Sequence, residues 1–260
     1  MSDDGIARDG IKAGDLVVVT GAGGGFGRAF CKRFARDGAR VAAWDFDQAA
    51  GEAIVREVRD GGGDIRFFKA DFAQPAEIDA AIKATLDACG TPYCVVNNAS
   101  IFARRPALDM PLETWEHTFK VNITAPFLIA RAFAAHMIPQ KRGVIINIAS
   151  GRGIEGAVNG VGYGCTKAAI LSLTKTLALE WAKHNIRVNT IIPGVSFTAQ
   201  PLANTTPEEL IERGRTTIPM GRLGYPEDMA GLAAFLVSAD ASYMTGQGVA
   251  MNGGRVLIPQ

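Results

Sequence analysis

Hydrophobic and polar positions along the chain fall into two alternating patterns: short continuous apolar runs that end in small or polar residues, and longer stretches whose apolar residues recur with helical spacing. Residues 15–20 (DLVVVT) are a run of the first kind, and the lack of alternation predicts a strand buried on both faces of a parallel sheet. Beyond a glycine cluster, Phe26, Ala29, Phe30 and Phe34 recur as on one face of a helix. Further strands are predicted at 40–45, 65–71, from Tyr93, at 143–150, 186–192 and 247–251. Helices are predicted at about 48–60, from Pro75, at 112–138, 162–184 and 226–238. This alternation predicts an α/β fold: a single-domain, Rossmann-type, doubly wound and mostly parallel sheet with helices on both faces, binding ligands at the carboxyl ends of its strands.

Two segments stand outside the pattern. Residues 1–14 are polar and glycine-bearing and read as a loose N-terminal arm, leaving 15–260 as one cofactor-binding and catalytic domain. Residues at about 195–215 are polar and mixed and read as a mobile substrate loop or lid.

Composition narrows the function. A chain of 260 residues is long enough for one large core, and a net charge of +1 from cations spread along the chain leaves no footprint for nucleic acid or a membrane surface. A small-molecule partner fits better. No apolar segment is expected to reach bilayer-spanning length. The four cysteines lack C-x-x-C spacing and no apolar N-terminal run precedes the domain, so a cytoplasmic protein with reduced thiols is expected. Cys165 is expected to pack rather than to act as a nucleophile. His117, His136 and His184 share no spacing with acids or cysteines, and no metal site is expected.

The candidate chemistry sits at the predicted strand ends. Thr20-GAGGGFG-Arg28 places Gly21, Gly25 and Gly27 between a strand and a helix, where missing Cβ atoms let a pyrophosphate approach free amides and the positive end of the helix dipole. Asp45 ends the next strand, eighteen residues past Gly27, where a carboxylate can accept both ribose hydroxyls of an adenosine and repel a 2′-phosphate. No lysine or arginine stands in the glycine turn or directly after Asp45, so NAD is expected over NADP. Asp71, Asn97 and Ser100 fall at or near further strand ends, and Asn122 lies in a helix before a proline, where it suits a local bend holding water. Ser150 is followed thirteen positions later by Tyr163 and four after that by Lys167, so the lysine can sit beneath the tyrosine ring and help its hydroxyl work as an acid or base. Arg104, Arg105 and Arg152 follow strand ends that should wall the pocket, where a guanidinium could clamp a carboxylate or phosphate.

Taken together, TGAGGGFG, NNAS, KVNIT, INIAS, YGCTK, IIPG and the late PED, TGQ and NGG segments resemble the classical short-chain dehydrogenase/reductase family over nearly the whole chain. The resemblance implies Asn122, Ser150, Tyr163 and Lys167 as the catalytic set. Tyr163 would pass the proton, Lys167 would bind the nicotinamide ribose and lower the tyrosine pKa, Ser150 would orient the substrate, and Asn122 would hold a relay water. It further implies Gly21, Gly25, Phe26 and Gly27 at the pyrophosphate, Asp45 at the adenosine ribose, Asp71 and Phe72 at the adenine, and Asn98 at the ribose region. Pro193, Val195 and Thr198 would meet the carboxamide end. A homotetramer is implied as well. Phe26, Ser100 and Asn252 depart from the usual pattern; Ser100, in place of a glycine, bears on the substrate pocket. The implied activity is hydride transfer between NAD and a secondary alcohol or ketone, the substrate being small and polar, sugar-like or a hydroxy acid. An NADP-dependent ketoreductase of the 3-oxoacyl reductase type and a non-catalytic nucleotide sensor are the alternatives; an S-adenosylmethionine site would leave Ser150, Tyr163 and Lys167 without a task.

Overall fold

The computed structural model describes residues 9–202 and 205–255. Seven strands form one sheet: β1 (Leu16–Thr20), β2 (Arg40–Asp45), β3 (Ile65–Lys69), β4 (Cys94–Asn97), β5 (Gly143–Ile148), β6 (Ile186–Pro193) and β7 (Gly248–Met251). Their spatial order is β3-β2-β1-β4-β5-β6-β7, and every pairing is parallel. The order reverses between β1 and β4, which opens a crevice beyond the carboxyl ends of those two strands.

The unbroken apolar runs are explained by cover on both faces. Val17, Val19, Val41, Ala43, Val96 and Ile146 point to one side, against Phe30 and Phe34 of α1 (Gly25–Arg36) and Ala233 and Leu236 of α10 (Pro226–Val237). Their neighbours Leu16, Val18, Ala42, Trp44, Val95 and Ile145 point to the other, against α3 (Pro75–Cys89), α5 (Ala125–Met137) and α7 (Val161–Trp181). Burying these two layers removes most large side chains of the strands from water, at about 25 cal/mol per Å² of apolar surface.

The helix predicted at 112–138 is composite: α4 (Leu112–Phe119), a π-helical turn (Lys120–Thr124), α5 and a short 3₁₀ turn (Ile138–Gln140). Its 29 residues are long and apolar enough, by length and composition, to cross a membrane, which corrects the expectation that no segment reaches that length. Half of its most apolar window is buried, where Ile129, Phe133 and Met137 pack on the sheet.

Of the expected loose arm, residues 1–8 lie outside the described residues, and 9–14 are tied down. Ile11 N donates to Val237 O at 3.0 Å, and Gly14 N to Gly38 O at 2.9 Å. Arg142 donates to Gly10 O at 2.9 Å and grips both Asp15 carboxylate oxygens at 2.8 and 2.7 Å. The expected loop at 195–215 contains α8 (Ala199–Leu202) and α9 (Pro207–Thr217), with a small core of Leu210, Ile218 and Leu223. Thr206 and Glu209 form a capping box that starts α9, with Pro207 in its first turn.

Candidate active site

β1 delivers Thr20 to the crevice, and the chain then turns through the glycines. Gly21 and Gly25 have φ of +64° and +48°, the left-handed region where other residues are strained. A Cβ on Gly27 would stand 1.9 Å from the Gly21 carbonyl oxygen, so the helix can pack on the turn only with glycine there. Gly24 caps α1 without a side-chain hydrogen bond, the first turn carries no acid, and a Cβ at Gly24 would meet nothing within 4 Å. The amides opening α1 therefore face open space at the positive end of the helix. This cradle fits a dinucleotide pyrophosphate. Phe26 leans back on the core and keeps its amide in place.

The turn is braced from β4. Thr20 Oγ1 accepts from Asn98 N and Ala99 N, both at 3.0 Å, and Asn98 Nδ2 donates to Thr20 O at 2.9 Å and Gly21 O at 3.1 Å. Asp45 is buried at the end of β2, its Oδ2 accepting from Gly23 N at 2.8 Å and its Oδ1 from Asp47 N at 3.0 Å. Each oxygen retains acceptor capacity for a ribose hydroxyl. Phe46, next to it, is exposed. Asp71 Oδ1 accepts from Ala73 N at 2.8 Å, while the Phe72 side chain lies in the core, so an adenine could meet Phe72 only through its backbone. From Pro193, the end of β6, the chain passes Val195 to Thr198, whose methyl group would lie 3.7 Å from a Cβ built on Gly25. This segment thus comes down beside the glycine turn.

Three elements bring the other candidates together. Tyr163 lies buried in the first turn of α7, with Lys167 one turn on, its Nζ 5.4 Å from the Tyr163 ring centroid. Lys167 Nζ donates to Ile148 O at 2.8 Å, which ties α7 to the end of β5 two residues before Ser150. Burial pushes the Lys167 ammonium down to about 7 from an ordinary 10.5. Ser150 Oγ accepts from Arg152 N at 3.3 Å, which leaves the hydroxyl proton to donate. Asn122 sits in the π-helical turn. Its Oδ1 accepts from Ile101 N at 2.9 Å, and its Nδ2 donates to Ile101 O at 2.9 Å and Thr166 Oγ1 at 3.1 Å. Pro126 has no N–H, so the Asn122 carbonyl lacks the donor that an α-helix would bring to it four residues on. The Phe102 ring closes the pocket over Tyr163 at a centroid distance of 4.6 Å.

Apart from Asn97, sequence reasoning missed the residues that hold this arrangement. Thr166 links Asn122 to α7, and its own hydroxyl donates to Tyr163 O at 2.8 Å. Beneath the site a buried polar chain crosses four elements. Asn97 Nδ2 donates to Asn147 Oδ1 at 2.9 Å, Asn147 Nδ2 donates to Thr174 Oγ1 at 2.9 Å, and Thr174 and Thr190 share a hydroxyl bond at 2.5 Å. In the sequence Asn97 stands out only as a strand-end residue; for the others the one signal is a polar residue in an otherwise apolar strand or helix, which buried geometry must satisfy. Cys165, expected to pack, is exposed, because α7 turns Tyr163, Thr166 and Lys167 inward. Among the described residues no group of three or more His, Cys, Asp or Glu is arranged to hold a metal ion.

A family profile described as enoyl-(acyl carrier protein) reductase matches residues 21–255. Human (3R)-3-hydroxyacyl-CoA dehydrogenase is 38% identical over 249 residues, covering 92% of this chain and 94% of its own. The chain belongs to the short-chain dehydrogenase/reductase family. It is therefore an oxidoreductase working between a nicotinamide cofactor and an alcohol or ketone. The 2,5-dichloro-2,5-cyclohexadiene-1,4-diol dehydrogenase of Sphingobium indicum is 36% identical over 93% of this chain and 96% of its own. Among solved structures, one from Beutenbergia cavernae, described as an NAD(P) dependent gluconate 5-dehydrogenase with bound NADP at low occupancy, superposes with a TM-score of 0.90. It is 37% identical and covers 95% of this chain and 98% of its own. The 3-ketoacyl-(acyl-carrier-protein) reductase of Brucella melitensis, complexed with NADH, has a TM-score of 0.86 at 35% identity, covering 94% of this chain and 99% of its own. The fold class read from the alternation of strands and helices is the one these relatives share.

Proposed function

We infer that this short-chain dehydrogenase/reductase oxidises a small polar secondary alcohol to its ketone with NAD, using Tyr163 as the acid/base. The observation that carries the reading is the convergence of Tyr163, Lys167 and Asn122 through Thr166 and Ile148. Such cross-linking of three elements fixes a tyrosine hydroxyl in one place, as proton transfer requires. The Ser150 hydroxyl would donate to the substrate oxygen, and the Tyr163 phenolate would take the alcohol proton. Lys167, when charged, stabilises that phenolate, and the Asn122 carbonyl, which has no i+4 donor because Pro126 lacks an N–H, suits a water that relays the proton outward.

NAD, when bound, supplies the hydride acceptor. Gly21, Gly25, Phe26 and Gly27 would receive its pyrophosphate, Asp45 its adenosine ribose, Asp71 and the Phe72 backbone its adenine, and Asn98 the ribose region. Tyr163 and Lys167 would meet the nicotinamide ribose, and Pro193, Val195 and Thr198 the carboxamide. The Asp45 carboxylate supports NAD over NADP, because a 2′-phosphate would meet like charge there and the residue that directly follows it is Phe46, not a lysine or arginine.

A homotetramer in the cytoplasm completes the reading. Exposed Leu112, Phe127 and Leu179 lie on the composite helix and α7, where symmetry mates would cover them. Cytoplasmic residence is supported by four cysteines that are all free thiols. Initial rates across sugars, polyols, hydroxy acids and cyclic alcohols with NAD test the activity. Turnover of at least one class is expected; NADP-linked reduction of a 3-oxoacyl thioester with no NAD-linked oxidation would overturn it.

A further inference from the structure

Positive charge gathers beside Tyr163. The Phe102 ring that stacks on Tyr163 carries two guanidiniums, with Arg152 Cζ 5.5 Å and Arg104 Cζ 5.9 Å from its centroid. Arg152 is half-buried and lies two residues past Ser150. The turn that holds it is fixed against α7, because a Cβ on Gly153 would come 2.6 Å from the Lys167 carbonyl carbon. Burial first, then Arg104, push Arg152 below its ordinary range; Arg213 and Arg255 add to the effect, and Tyr163 opposes it. Three further guanidiniums, each from a separate segment, therefore act on Arg152.

Among the described residues none of the four is ion-paired with a carboxylate. By contrast Arg142 is matched with Asp9 and Asp15 and Arg222 with Asp228, although buried Arg187 has no ion pair among the described residues either. Exposed Arg104 and Arg213 could be left to water, but a half-buried guanidinium among like charges costs stability unless an anion joins it. Arg105 stands apart. Its backbone amide donates to Asn159 O at 3.1 Å, and its side chain makes no ring contact with Phe102.

We propose that Arg152, with Arg104 beside it, forms an anion subsite that holds an oxyanion of the substrate itself, a carboxylate or phosphate a few bonds from the reacting carbinol. The proposal rests on the reading of Tyr163 as the acid/base, which puts the carbinol at Tyr163, with the guanidiniums one ring away. It favours a small hydroxy acid or hydroxy-phosphate over a neutral polyol. It also disfavours a thioester on a long arm, whose phosphate would lie far beyond Phe102.

The test uses matched ketones on the enzyme loaded with NAD, a dead-end complex with no hydride to transfer, read by calorimetry: acetoacetate against acetoacetamide, and dihydroxyacetone phosphate against dihydroxyacetone. The corresponding alcohols with NAD give kcat/KM in parallel. The charged member of at least one pair binds ~10-fold or more tightly in the wild type, the range of a charged hydrogen bond. Arg152→Gln brings that preference near unity with NAD affinity unchanged, Arg104→Gln lowers it in part, and Arg152→Lys keeps part of it. Whichever pair responds identifies carboxylate or phosphate. Equal binding of charged and neutral members, no binding of any charged member, or equal weakening of both by Arg152→Gln overturns the subsite. An Arg152-dependent preference in binding, together with full turnover by Tyr163→Phe, would leave the subsite standing and remove the role given to Tyr163.

Discussion

Lys167 Nζ is held 5.4 Å from the centroid of the Tyr163 ring, buried, with the Ile148 carbonyl at 2.8 Å its one hydrogen-bond acceptor among the described residues. The cation that should assist the tyrosine is thus only partly charged near neutral pH in the cofactor-free chain, because burial brings it to about 7. A ribose hydroxyl or a phenolate that accepts from Nζ would restore the charge when it is needed.

Stability should register this burial. Lys167 loses its proton near 7 in the folded chain and near 10.5 when unfolded, so between these values the unfolded chain binds more protons. The cost is fully present below about 7 and fades as pH rises toward 10.5. Lys167→Met should therefore melt higher than the cofactor-free wild type at about pH 6, by roughly 2–4 °C for each kcal/mol relieved, and the gap should close by about pH 10. Thermal melts at both pH values check it, and a variant less stable than wild type at both would contradict it.

Cofactor choice follows from Asp45. A 2′-phosphate beside this carboxylate meets repulsion and loses charge-assisted ribose bonds worth about 1.5–3 kcal/mol each, so kcat/KM should favour NAD by roughly 10²-fold or more. Asp45→Ala with Phe46→Arg should raise NADP use and depress NAD use. A wild type that prefers NADP would show that the buried Asp45 carboxylate serves only the turn at Gly23 and Asp47.

Asn122 makes three hydrogen bonds that seat the π-helical turn on Ile101 and Thr166. Asn122→Ala takes the partner from the half-buried Ile101 amide and carbonyl and one of two hydrogen bonds from the buried Thr166 hydroxyl, and should cost about 2–4 kcal/mol of stability. Urea denaturation measures it. An unaltered midpoint would mean the turn is held by Pro126 and packing alone.

Assembly is read by light scattering. The exposed Leu112, Phe127 and Leu179 side chains predict a tetramer at micromolar concentration. A stable, active monomer would contradict that.

The sequence carried the strands well because each is a local pattern: DLVVVT and GVIINI are apolar without alternation, and both lie buried on two faces. Asn122 was visible as a polar misfit before Pro126, but the π-helical register was not, since it depends on Ile101 and Thr166 pulling from other elements. The helix at Pro207–Thr217 was legible in TTPEEL as a capping box with proline in its first turn, and polarity obscured it. The state of Lys167 and the chain from Asn97 to Thr190 exist only once distant elements pack, so no spacing encodes them.

The central claim, that the Tyr163 hydroxyl moves the proton in an NAD-linked oxidation, is tested most directly by kcat of Tyr163→Phe against wild type on an alcohol that the wild type oxidises, with NAD affinity measured alongside. Removing one oxygen should lower kcat by about 10²-fold or more and leave NAD affinity nearly intact. Turnover near the wild-type rate would contradict the account.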